Sequence, residues 1–167
     1  MPIDPEFVTD CPYGPDAMLL DEVLEIDRER SLLRVRMPTH DGLPLTRDQR
    51  VHPVLHPRHV SGGLMVHMTG ITGFAHLYFV LGLRHRDGWI GYGARIHKAR
   101  FHALAKPGEP IEISCRATQM RQGETRILAR YELLMHQAGK LVYEGDQTAM
   151  FFKLREGDDA AGVDEAL

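Results

Sequence analysis

From residue 125 to 135 the apolar side chains Ile127, Ala129, Tyr131, Leu133 and Met135 fall on every second position and share a face, which predicts a strand. The same period of two runs through Pro110 to Met120, where Ile111, Ile113, Cys115 and Ala117 oppose Glu112, Ser114 and Arg116. It recurs in Ser31 to Met37, with Leu33, Val35 and Met37 on one side and Arg34 and Arg36 on the other. Trp89 to Phe101 and Lys140 to Leu154 complete the set, and Met18 to Ile26 reads as a short helical turn running into a strand. Gln122-Gly123 and Ala138-Gly139 are short turns, so the strands after residue 88 are expected as an antiparallel meander.

Leu64 to Leu83 has a different pattern. Twenty residues exceed ordinary strand length, and the apolar positions go nearly all the way round, as in a helix buried on most sides. Ser61 stands where an N-cap would. His67, His76 and three glycines interrupt the segment, which argues against a membrane span. One such helix and five or six antiparallel strands share a core most simply when the sheet curls around the helix, an α+β hotdog fold. Residues 1–154 are expected to form this single domain, with residues 1–16, rich in proline, as an extended lead-in and residues 155–167 as a flexible acidic tail.

The 167 residues carry 20 Lys and Arg against 23 Asp and Glu, a net charge of −3 that disfavours a nucleic-acid partner. Two cysteines, Cys11 and Cys115, make neither a disulfide framework nor a four-thiolate metal site, and the N-terminus lacks the basic start and apolar run of a signal peptide. A cytoplasmic protein is expected. His52, His56 and His59 have spacings of four and three, but Pro53 and Pro57 forbid the regular helix that would align them, and no acid or cysteine joins them, so no metal is predicted.

Three segments resemble the hotdog-fold 3-hydroxyacyl-thioester dehydratases of the FabZ/FabA type. They are Ala17 to Leu24 (AMLLDEVL), Val51 to Leu64 (VHPVLHPRHVSGGL), and Ile96 to Phe101 (IHKARF) followed by Lys106 to Glu109 (KPGE). They occur in the family's order. The resemblance implies dehydration of a 3-hydroxyacyl group on acyl carrier protein or coenzyme A in fatty-acid or polyketide-type synthesis, without a cofactor, by a homodimer joined edge to edge. It puts the family's loop histidine at His52 and the family's helix acid at His67, so that acid is absent here. No Asp or Glu occurs anywhere from Val51 to Leu83.

A neutral imidazole suits removal of the α-proton, and backbone N–H groups suit the carbonyl oxygen that gains charge. Gly62, Gly63 and Leu64, at the start of the buried helix, supply such donors. His52 is the expected base unless it is only a loop residue. His67 is either a substitute acid, which needs a carboxylate beside it, or a polar side chain satisfied by one backbone carbonyl. Six Lys and Arg with one acid between Arg84 and Lys106 make a basic segment; Arg95, Lys98 and Arg100 either dock a carrier's phosphate or form a solvated strand face. Two other readings stay open: thioester hydrolysis, and a catalytically degenerate hotdog that binds acyl groups.

Overall fold

A computed structural model describes residues 1–154; the expected acidic tail lies outside them. Two short helices open the chain, α1 (Pro5–Asp10) and α2 (Pro15–Met18), followed by β1 (Glu22–Asp27) and β2 (Leu32–Met37). The long helix α3 spans Gly62–Phe79, and β3 (Trp89–Phe101), β4 (Ile111–Gln122), β5 (Arg126–Gln137) and β6 (Lys140–Lys153) follow.

The lead-in is therefore helical where an extended segment was expected. Pro5 and Pro15 each occupy a first helical turn, where a missing N–H is harmless and the fixed φ is already helical. Asp4 caps α1 by accepting from the Glu6 N–H at 2.8 Å. Phe7, 1% exposed, then inserts between Tyr78 and Phe79 at the far end of α3.

α3 starts two residues before the expected position and ends four before it. Val80 caps it, and Gly82 turns the chain away at φ 69°, a left-handed conformation that glycine adopts without strain. Its buried residues include Leu64, Met65, Met68, Ile71, Thr72, Ala75, His76 and Leu77, so no one side is polar. The helix contacts β2, β3, β4 and β6, which lie in the inner part and at one edge of the sheet, so the sheet bends around it.

All six strands form one antiparallel sheet in the order β1-β2-β4-β5-β6-β3. The meander holds for β4, β5 and β6. It fails between β3 and β4, because residues 102–110 make no hairpin. They run past the entrance of α3, where the Val60 N–H donates to the Ala105 carbonyl at 2.8 Å, and deliver the chain to the open side of β2. β3 is left as an edge strand paired only with β6. Gly91 in β3 is required by packing, since a Cβ there would lie 2.5 Å from the Phe151 ring.

Candidate active site

Ser61 takes the N-cap position of α3, yet its side chain makes no capping bond. The first-turn N–H groups of Gly62, Gly63 and Leu64 thus have no acceptor among the described residues. Unpaired first-turn donors and the positive end of the helix dipole favour an oxyanion at this point. Beside them opens a cavity of about 330 Å³ whose walls include His59, Gly62, Met65, Phe101, His102 and Leu104. Phe101 closes over Gly62 so tightly that a Cβ on Gly62 would lie 3.1 Å from its ring.

His59 enters this cavity wall from the loop before α3. Its Nδ1 is 2.8 Å from the Pro57 carbonyl oxygen, which only accepts, so Nδ1 carries the proton. In the neutral ring Nε2 is then the basic nitrogen, and it has no partner among the described residues. His102 contributes a second imidazole to the wall, with Nε2 3.2 Å from Glu144 Oε2. Lys98 holds the other oxygen of Glu144 at 2.6 Å; that ammonium, and then His102, draw the Glu144 carboxyl below its ordinary range.

His52 lies elsewhere. It sits on an exposed hairpin tip, where its N–H and carbonyl pair with those of His56, and its Nδ1 accepts from the N–H groups of Val54 and Leu55 at 3.2 and 2.9 Å. That ring's basic nitrogen is already occupied, and His52 is not among the residues lining the cavity. It builds the tip on which Val54 and Leu55 are more than 80% exposed.

His67, on α3, also has a partner in the fold. Its Nε2 donates to the Ala17 carbonyl at 2.8 Å, and Tyr13 packs edge-on against the ring. Among the described residues no carboxylate pairs with it, and its hydrogen-bond partner is that backbone carbonyl. His76 is fully buried: its Nε2 donates to the Ser31 carbonyl at 3.0 Å, and the Tyr131 hydroxyl donates to its Nδ1 at 3.2 Å.

Arg95, Lys98 and Arg100 project from β3 on the sheet face away from α3, as their register opposite Thr148, Asp146 and Glu144 requires. Lys98 is paired with Glu144, whereas Arg95 and Arg100 have no ion-pair partner among the described residues. Also among those residues, no group of three His, Cys, Asp or Glu side chains converges as metal ligands, and no helix is long and apolar enough to cross a membrane.

Farther along α3 a slot of about 60 Å³ opens between the helix and β3, with Gly70 and Gly73 on one wall and Gly93 on the other. A Cβ on any of these three would meet nothing within 4 Å. Thr69 Oγ1 marks the near end of this slot, 2.6 Å from the Val66 carbonyl and 2.9 Å from Gln147 Oε1.

The loop before α3 supplied no periodicity from which His59 rather than His52 could be chosen. His102 and Glu144 are separated by 42 residues and meet only because β3 and β6 pair. The one available signal for His59 was its place three residues before the glycine that starts the helix.

No protein-family model matches the chain, and no curated protein does either. Solved structures do match. The chain is similar to a dehydratase heterocomplex, ApeI:P, from Xenorhabdus doucetiae, at 12% identity over 99% of this chain and 97% of that one, with a TM-score of 0.61. It is similar to a mutant thioesterase from Pseudomonas aeruginosa at 16% identity, covering 92% and 96% of the two chains, with a TM-score of 0.59. A thioesterase from Haemophilus influenzae matches at 14% identity over 89% and 90%, with a TM-score of 0.58. At such identities the likeness establishes architecture: one long helix in the curve of a six-stranded antiparallel sheet, the hotdog fold.

Proposed function

We propose that this protein processes acyl thioesters carried on coenzyme A or on an acyl carrier protein, and that the reaction its residues serve is hydrolysis. The observation that carries the reading is that one cavity is lined both by Gly62, at the uncapped start of α3, and by His59, whose Nε2 has no hydrogen-bond partner among the described residues. The thioester carbonyl oxygen rests on the N–H groups of Gly62, Gly63 and Leu64. His59 Nε2 takes a proton from water, the resulting hydroxide attacks the carbonyl carbon, and the first-turn amides hold the tetrahedral oxyanion. The C–S bond then breaks, and the thiolate leaves with the proton that His59 accepted. The products are a carboxylic acid and a free thiol. The acyl chain extends along α3 toward the glycine-walled slot, and Arg95 and Arg100, on the outer face of β3, meet the carrier's phosphate outside the cavity.

A second reading is 3-hydroxyacyl dehydration. It is favoured by the three ordered segments and by the likeness to a dehydratase complex over nearly the whole chain. In that case His59 removes the α-proton and returns it to the departing hydroxyl, since His67 is tied to Ala17.

The same reading makes the protein a dimer. The last nine residues of β3, Gly93 to Phe101, are exposed along a free sheet edge, with Ile96 and Phe101 more than half exposed. Pairing with the β3 of a second copy covers that edge. Sedimentation tests this; an obligate monomer removes it.

Incubation with acyl-CoA and with 3-hydroxyacyl-ACP, scoring free thiol and enoyl product separately, distinguishes the reactions. Thiol release that falls about 100-fold or more in His59→Gln supports hydrolysis with His59 as base. Enoyl product without thiol selects dehydration, and saturable binding with neither product leaves an acyl-binding protein.

A further inference from the structure

The cavity histidine does not hold its own place. Its peptide is gripped by a side chain ten residues upstream: the Gln49 carboxamide accepts from the His59 N–H at 3.2 Å and donates to the His59 carbonyl at 2.9 Å. A primary amide is the side-chain group that offers one donor and one acceptor side by side, as one residue's N–H and carbonyl require. The orientation of the amide is fixed by this pairing, because a peptide N–H only donates and a carbonyl only accepts.

Gln49 belongs to a turn that is itself anchored. Thr46 and Arg47 both donate their N–H to the Leu43 carbonyl, and Leu43 and Thr46 are buried. The same turn receives the Arg58 guanidinium on the Thr46 carbonyl at 3.2 Å, and the Ser61 N–H on Thr46 Oγ1 at 3.3 Å. Leu45 of this turn reaches the helix start, lying 3.4 Å from where a Gly63 Cβ would be. Residues 58, 59 and 61 are thus held to one rigid turn, and the two bonds at residue 59 come from one side chain.

We propose that Gln49 is a positioning residue: its carboxamide fixes the His59 backbone so that the imidazole is held in the cavity beside the first-turn amides of α3. This rests on the reading of His59 as the base. It assigns Gln49 no contact with substrate.

The test is a double-mutant cycle on the full-length protein with acyl-CoA, measuring kcat, KM and thermal midpoint for wild type, Gln49→Leu, His59→Gln and the double variant. A displaced base costs turnover more than binding, so Gln49→Leu is expected to lower kcat roughly 10- to 100-fold with KM within about twofold. In the His59→Gln background the same substitution is expected to change kcat by less than about twofold, because no base remains to be positioned. Gln49→Glu keeps the acceptor and loses the donor, so its kcat is expected between wild type and Gln49→Leu; it also serves if the leucine variant does not fold. A folded Gln49→Leu or Gln49→Glu protein with wild-type kcat overturns the proposal, as do losses that multiply in the double variant. Wild-type turnover in His59→Gln would instead remove the base assignment, and absence of turnover in wild type removes both.

Discussion

His76 offers a quantitative test of how the core is built. The ring is fully buried between β2 and β5, its Nε2–H on the Ser31 carbonyl and its Nδ1 receiving the Tyr131 hydroxyl. This arrangement satisfies the neutral imidazole at both nitrogens, and no carboxylate among the described residues pairs with it. Burial therefore pulls its pKa from 6.5 down to about 4, partly opposed by the bond to Ser31. Between these values the unfolded chain binds a proton that the folded chain refuses, so stability is complete above the unfolded pKa and falls as pH drops toward the folded one. With 1.36 kcal/mol per pKa unit, the loss reaches about 2 kcal/mol at pH 5 and about 3 kcal/mol at pH 4.

Carboxylates titrate in the same range, so the effect is read as a difference. His76→Gln keeps a donor for Ser31 and an acceptor for Tyr131 but takes up no proton. Urea unfolding of both proteins at pH 7.5, 6, 5 and 4 is expected to show wild type losing about 2 kcal/mol relative to the variant by pH 5. A difference that stays flat within about 0.5 kcal/mol from pH 7.5 to 5 would refute the neutral, desolvated imidazole.

His67→Ala removes the 2.8 Å bond to Ala17 and the Tyr13 contact, so it is expected to lower stability by about 1–2 kcal/mol while thiol release persists; loss of turnover in a folded variant would restore a chemical role. His52→Ala is expected to loosen only the exposed tip, with turnover near wild type, which an acyl-CoA assay checks beside His59→Gln. Gly91→Ala drives a methyl 2.5 Å from the Phe151 ring and is expected to cost about 1–3 kcal/mol in denaturant unfolding, whereas Gly93→Ala meets open space and is expected to be tolerated.

The elements were legible where burial follows a simple period. β5 alternates without error because one face is buried in the core, with Tyr131 against His76 of α3, and α3 was visible because it is surrounded. The order of strands was not, since short turns report only which consecutive strands are neighbours. The residues 102–110 contain turn signals yet serve as a crossover. Pro5 and Pro15 read as part of an extended lead-in because a proline alone does not tell a helix start from an extended segment; Asp4, accepting from Glu6, makes the difference for α1. Among three loop histidines, the one beside the helix start is set by the amide of Gln49 and by the carbonyl of Pro57, and neither contact has a period.

The proposed preference for hydrolysis over dehydration follows from how many groups each reaction needs. From Val51 to Leu83 the chain has no carboxylate, and Glu144, the acid paired with cavity-lining His102, is already held by Lys98. A second copy of this chain brings the same helix, again with no carboxylate between Val51 and Leu83. On the proposed reading, with His102 turned to Glu144, dehydration has His59 move a proton from carbon to oxygen across the width of the substrate's Cα–Cβ bond. Hydrolysis asks the imidazole only to take a proton from water and return it to sulfur on the same carbonyl carbon, while the amides of α3 hold the charge. On that proposal, His59 as the one base and the first-turn amides as the one set of donors are enough for the second task, and His59 and Gly62 line the same cavity.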